Sequence, residues 1–170
     1  PALRDDRGFR YYDESQCDVF MVIRSLRDLG MSLAESYAAE EELHVAAFRN
    51  FLELGSQYVE ELSDSGADAG ELQTWLHSYF SKITAIVGEN VLDPYAVIDG
   101  AIVAANPWEG DEDYDYQSTD WYRMALEAGG EVIFTDAYTD VITGSPVITA
   151  ARQFGDGGDV LAMDIFPKHF

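Results

Sequence analysis

Positive charge is the scarcest resource in this 170-residue chain: 10 Lys and Arg stand against 32 Asp and Glu, for a formal net charge of −22. A phosphate backbone needs a basic footprint, so the overall balance argues against a nucleic-acid partner and against docking on anionic lipid head groups. Cysteine is nearly absent. Cys17 stands alone, which excludes an intrachain disulfide. No run approaches the roughly 18 apolar residues of a membrane span, and no signal peptide is visible. The chain starts abruptly at Pro1 and stops on a strand-like run, so it reads as a piece of a longer protein whose anchor lies elsewhere.

The usual catalytic signatures are missing too. There is no Gly-rich phosphate loop, no HExxH and no GxSxG. His44, His77 and His169 fall far apart, and no base lies near Cys17 in sequence. Asp111-Glu-Asp-Tyr-Asp115 invites a calcium reading, but an EF-hand needs Gly and Glu where Tyr116 and Tyr122 stand. The expectation is a non-enzymatic module without metal or cofactor.

What is present is a globular composition, 47% hydrophobic, whose periodicity changes midway. From Asp13 to about Leu62 there is no Pro. Val19, Val22, Leu26, Leu29 and Leu33 follow 3-4 spacing, as do Val45, Phe48, Leu52, Gly55, Val59 and Leu62 in a different phase. This predicts one long helix or two in series. About 50 helical residues would span on the order of 75 Å, so part must project or lie against a second chain. Ser63 to Gly70 reads as a loop, and a second helix follows over Glu71–Ile83 with Trp75, Tyr79 and Phe80 as core packing.

From Tyr95 the pattern becomes that of strands. Asp99-Gly100 between two short apolar runs is a strong hairpin signal. A short helix with Ser118 as N-cap ends at Gly129-Gly130. Strands then follow at Glu131–Phe134, Val147–Phe154 and Val160–Phe166. The expected class is α+β: a long N-terminal helical region over 1–70, then a PAS-like module over 71–170, its five-stranded antiparallel sheet flanked by helices to one side.

Aromatic and acidic side chains crowd the stretch from Trp108 to Asp140. Half-exposed rings beside carboxylates suit a ligand with positive charge and some apolar surface. The alternative is that several rings simply cap the sheet.

The run Asp120-Trp-Tyr-Arg-Met-Ala125, then Gly129-Gly130, Thr135-Asp-Ala-Tyr-Thr-Asp-Val-Ile-Thr-Gly144, Val147-Ile-Thr149 and Ala162-Met-Asp-Ile165 resembles the double Cache (dCache) sensor domains of bacterial chemoreceptors, histidine kinases and diguanylate cyclases. The resemblance covers the N-terminal helix and the membrane-distal module; the membrane-proximal module is missing. It implies an extracytoplasmic sensor, joined to the membrane by segments outside this chain, that signals through its N-terminal helix as a homodimer. In the amino-acid-binding members an Arg two residues before the Trp clamps the ligand carboxylate. A Tyr five residues before that Arg, the Trp, a Y-x-D pair and an Asp on the last strand complete the site. Carried over, Tyr114, Trp121, Tyr138, Asp140 and Asp164 are present, with Tyr122 beside the Trp, and the Arg position is Thr119. Losing the bidentate carboxylate partner while keeping the amine-side acids implies a cationic amine as ligand. Amino acids stay open if Arg123 or Arg152 substitutes for the clamp. A ligand-free structural or dimerisation module, with Trp121 and Tyr138 packed inward, also remains open.

Overall fold

The computed structural model describes residues 3–4, 10–11, 21–22, 24, 33–110 and 113–167. Cys17, Val19, Leu26, Leu29, His169 and the start of the acidic loop lie outside them. Two compact units divide the chain, Pro1–Ala46 and Ala47–Phe170. Within the first, Leu3–Arg4 pairs antiparallel with Arg10–Tyr11.

A single helix, α1 (Leu33–Asp64), begins in the first unit and ends in the second. Its 32 residues correspond to about 48 Å. Of the 3-4 seam, Phe48, Leu52 and Val59 are buried in the core of the second unit's own sheet. The stripe is therefore the core face of an amphipathic helix. The turn after α1 is shorter than the loop expected over Ser63 to Gly70, because Asp68 starts the next helix. Its side chain accepts from Glu71 N and the Glu71 side chain accepts from Asp68 N, a capping box that opens α2 (Ala69–Val87). Leu72, Leu76 and Ile83 are buried. Trp75, Tyr79 and Phe80 pack partly buried against the same core.

Gly55 is what lets α1 and α2 approach. A Cβ there would sit 2.5 Å from Tyr79 Oη and 2.6 Å from its ring, and that hydroxyl is pinned by donating to Phe51 O at 2.6 Å. Gly→Ala in a helix normally gains up to about 1 kcal/mol. Here overpacking, of about 1–3 kcal/mol, outweighs it. Gly55→Ala is expected to lower the thermal midpoint, checked by calorimetric unfolding.

The sheet has six strands where five were expected. They are β1 (Tyr95–Ile98), β2 (Ala101–Ala104), β3 (Ile133–Phe134), β4 (Tyr138–Thr139), β5 (Pro146–Phe154) and β6 (Asp159–Ile165), in the order β2-β1-β6-β5-β3 with β4 added to β5. All described pairings are antiparallel. The β1–β2 turn is made by Asp99 (φ 51°) and Gly100 (φ 80°), the positive values a two-residue hairpin of this twist requires.

The helices do not share one side of the sheet. Alternation along the strands sends Ala96, Ile98, Ala150, Leu161 and Met163 toward α1 and α2. Val97, Ala151, Val160 and Ala162 face the opposite way, against Trp121 and Ala125 of α3 (Asp120–Ala128). The N-cap of α3 is Thr119 and not Ser118. Thr119 is extended (ψ 149°) and its Oγ1 accepts from Tyr122 N, whereas Ser118 closes a 3-10 turn over Tyr116–Ser118. Gly129 ends the helix in the left-handed region.

Candidate functional site

On the α3 side of the sheet, β6 carries an acidic residue at a position otherwise reserved for the core. Asp164 is 7% exposed, between apolar Met163 and Ile165. Its Oδ1 accepts from Thr149 Oγ1 at 2.6 Å and from Tyr95 Oη at 3.2 Å. Thr149 gives its only hydroxyl proton to that carboxylate, so Tyr138 Oη donates to Thr149 Oγ1 at 2.6 Å. A relay Tyr138–Thr149–Asp164–Tyr95 results. The other oxygen of Asp164 takes no hydrogen bond from the described residues. Burial pushes the Asp164 carboxyl up from 3.8 to about 6; Asp140 and Asp93 push the same way, while the Thr149 and Tyr95 hydrogen bonds oppose it.

A second carboxylate, Asp140, is also 7% exposed. It follows β4, and its Oδ2 accepts from the backbone N (2.7 Å) and the hydroxyl (2.6 Å) of Thr143, which closes a tight turn. The turn fixes Asp140 and leaves Oδ1 without a partner among the described residues.

Asp140 and Asp164 line one cavity of about 140 Å³, together with Asp93. Asp93 sits just ahead of β1, and Tyr95 pairs with Ala162 while Leu92 N donates to Asp164 O. Asp93 and Asp164 thus lie side by side on adjacent stretches of chain. Asn106 N holds Asp93 Oδ2 at 3.1 Å. Four rings, Tyr95, Trp108, Tyr114 and Tyr138, and apolar Leu92, Ile102, Val141 and Ile142 make most of the remaining wall. Among the described residues no Lys, Arg or His lines it, and no cluster of His, Cys, Asp and Glu could hold a metal ion.

Of the residues singled out in the sequence, Tyr114, Tyr138, Asp140 and Asp164 therefore meet in one cavity. Thr119, Trp121 and Tyr122 do not line it. Thr119 Oγ1 donates to Tyr116 O while capping α3. Trp121, 2% exposed, packs edge-on against Tyr95 at 5.4 Å and Tyr122 at 5.7 Å, and so backs the cavity wall. Its indole Nε1 is buried. Burial raises the Tyr114 phenol, and the nearby indole works against that rise. Tyr122 Oη donates to Gly158 O at the far end of the module.

Neither possible substitute for the missing carboxylate clamp reaches the cavity. Arg123 is exposed and pairs with Asp120 on its own helix. Arg152 lies on the opposite face of β5, where its guanidinium donates to Ser56 Oγ of α1 at 2.5 Å. His77 is drawn instead to Asn106 Oδ1 at 3.2 Å. Tyr95, Asp93 and Trp108 are the wall residues that carry no sequence motif.

Residues 56–165 match the family model described as methyl-accepting chemotaxis protein-like, first PDC sensor domain. The chain belongs to this family. Chemotaxis proteins McpB and TlpB of Bacillus subtilis are 36% and 30% identical over 109 residues, 64% of this chain. The chain spans only 16% of the length of either. Among solved structures, the ligand-binding domain of Campylobacter jejuni chemoreceptor Tlp3 in complex with L-valine superposes with a TM-score of 0.62 at 18% identity, covering 91% of this chain and 64% of that one. That of Pseudomonas fluorescens chemoreceptor CtaA in complex with L-alanine gives 0.59 at 16% identity, covering 86% and 60%. These two likenesses carry the α+β sensor fold. Residues 1–43 match a second model, that of a MerR HTH family regulatory protein, over less than half of the chain. Chemoreceptor sensor domains are extracytoplasmic parts of membrane receptors; among the described residues of this chain no helix is long and apolar enough to cross a membrane.

Proposed function

We propose that the module is a small-molecule sensor of a bacterial signalling protein and that its ligand is a small amine with no obligatory carboxylate. The cavity carries this reading: three carboxylates and four aromatic rings line it, and among the described residues no cationic side chain does. A free amino acid would bring its own carboxylate into this acidic enclosure without a charged partner, a costly burial. An ammonium instead meets the free oxygens of Asp140 and Asp164, and the ring faces add about 0.5–2 kcal/mol each to a desolvated cation. About 140 Å³ suits a ligand of benzene-like size. On this reading Tyr114, Tyr138, Asp140 and Asp164 bind the ligand directly, and Trp121, Tyr122 and Thr119 hold the wall and the helix behind it.

The structural-module alternative asks for a pocket filled by its own side chains. Tyr138 is exposed at the cavity and two acids face open space there, which favours a ligand.

Protonation gives a direct test. Ionised Asp164 is the form that attracts a cation, so amine affinity is expected to strengthen as pH rises through about 6 and to level off above. Calorimetric titration with a panel of small amines at pH 5 and pH 8 reads this. Asp140→Asn is expected to weaken binding at least tenfold at pH 8. Binding by organic acids alone, or amine affinity that falls with rising pH, would exclude the reading.

The double Cache resemblance adds finer expectations: a second, membrane-proximal module beyond this chain, residues 1–70 acting as a dimerising and signalling helix, and an extracytoplasmic position.

A further inference from the structure

One ammonium between Asp140 and Asp164 uses the free oxygens of two carboxylates in the cavity and leaves the third, Asp93, over. We propose that Asp93 is a second cation anchor and that the ligand is a short α,ω-diamine. One of its ammonium groups is held between Asp140 and Asp164 and the other at Asp93. The inference rests on the amine reading of this cavity and narrows it.

Sheet topology spreads the three acids out. Asp93 stands just ahead of β1, Asp164 is on β6, and Asp140 follows β4. Strand β1 pairs with β6, β6 with β5, and β5 with β4. Neighbouring strands run about 4.8 Å apart, so three steps, on the order of 14 Å, separate the chain at Asp93 from the chain at Asp140. Asp164 lies between them, one step from Asp93 and two from Asp140. A single cation held by three carboxylates needs them to converge on one point. Among the described residues no three acidic, His or Cys side chains are arranged to hold a metal ion. The carboxylates share a cavity without sharing a centre, and two charges joined by a short chain match that arrangement.

Asp93 is half-buried and held at one oxygen only. Its Oδ2 accepts from Asn106 N at 3.1 Å, and Oδ1 takes no hydrogen bond from the described residues. The surplus charge is felt inside the site. Burial raises the Asp164 carboxyl first, and Asp140 and then Asp93 add to that rise. A monoamine offsets one negative charge of the three, whereas a diamine offsets two, and an unpaired buried charge is costly. Much of the remaining wall is apolar, Leu92, Ile102 and Ala104 included, and suits a methylene chain. The compound 1,4-diaminobutane has as many non-hydrogen atoms as benzene, the size that about 140 Å³ admits.

The test is calorimetric titration of 1,4-diaminobutane and n-pentylamine into the chain at pH 8 and 150 mM NaCl. The two ligands are of equal length and differ by an ammonium replaced with a methyl group. The diamine is expected to bind at least tenfold more tightly. Asp93→Asn keeps an oxygen to accept from Asn106 N, so the wall survives while the charge is lost. It should cut the preference to about threefold or less and leave n-pentylamine affinity little changed. Asp156→Asn removes an exposed charge on the β5–β6 turn and should leave the preference intact, which separates the anchor from general attraction to an acidic protein. Equal binding of the two ligands by the wild type needs no variant to read, and it would overturn the second anchor while the amine reading stands. A preference that Asp93→Asn leaves whole, or that Asp156→Asn lowers as much, would overturn it too. Binding of valine with neither amine bound would mean that the amine reading itself has failed, and this inference with it.

Discussion

Trp121→Ala is expected to destabilise the sensor module by about 3–5 kcal/mol, the range for truncating a fully buried aromatic. The ring is 2% exposed, joins Val97, Ala151, Val160 and Ala162 in one cluster, and touches Tyr95 and Tyr122 edge-on. It is the largest side chain of the small core between α3 and the sheet, whose other fully buried members are Val and Ala, with larger side chains such as Tyr95, Tyr122 and Leu126 packed around them. Truncating a ring that size in a close-packed core leaves a void that its neighbours fill only in part, so the cavity term adds to the lost transfer energy. Chemical denaturation measures the loss. A ligand-contact role alone would leave the free protein's stability untouched and change only affinity. The structure expects the reverse order of effects: stability first, and affinity only through a loosened Tyr95.

Asp164→Asn should do nearly the opposite. The amide keeps an oxygen that can accept from Thr149 and Tyr95, so the relay and the fold survive, while the charge is gone. Amine affinity is expected to fall at least a hundredfold, in line with losing a desolvated charge partner. The stability of the free protein should rise at neutral pH. A carboxyl whose folded value is raised to about 6 from 3.8 binds protons more tightly folded than unfolded. The native protein therefore loses stability as pH climbs from about 4 to about 6, and above 6 it retains the full cost of a buried charge. At roughly two pKa units that cost is on the order of 3 kcal/mol. Unfolding of the unliganded protein at pH 4.5 and pH 7.5 checks both signs. Wild type should be more stable at the lower value as far as Asp164 is concerned, and the difference should shrink in Asp164→Asn.

A group that weakens the free protein and strengthens the complex is what a ligand site costs a fold. The same arrangement explains why β6 tolerates an acid among Ala162, Met163 and Ile165.

Local signals were readable where one residue type decides one geometry. Asp99-Gly100 had to turn, α2 showed its buried stripe, and the two long strands β5 and β6 announced themselves by β-branched and apolar runs. The acids Asp140 and Asp164 came from the family resemblance, and their meeting in one cavity needed the fold. What escaped depended on distant pairing. β4 is two residues long, with no period to see, and exists because Tyr138 and Thr139 meet Val147 and Pro146 across the Asp140–Thr143 turn. Asp93 and Tyr95 enter the site through register against β6, which no local pattern specifies. Trp121 is instructive in the other direction. Its spacing to Ala125 puts both on one helix face, a core signature that outweighs the expectation of a ligand contact. Arg152 could be assigned to neither face of its strand until Ala151 and Ala150 were seen to point opposite ways.

The central claim is that the cavity selects a cation and has no place for a carboxylate. Isobutylamine and valine differ by that carboxylate alone, and both are small enough for about 140 Å³. Their parallel calorimetric titration into the chain at pH 8 is the most direct test. The account expects isobutylamine to bind at least tenfold more tightly than valine, with the preference lost in Asp164→Asn. Tighter binding of valine would show that another group receives the carboxylate, and would contradict the reading of Thr119 as a lost clamp.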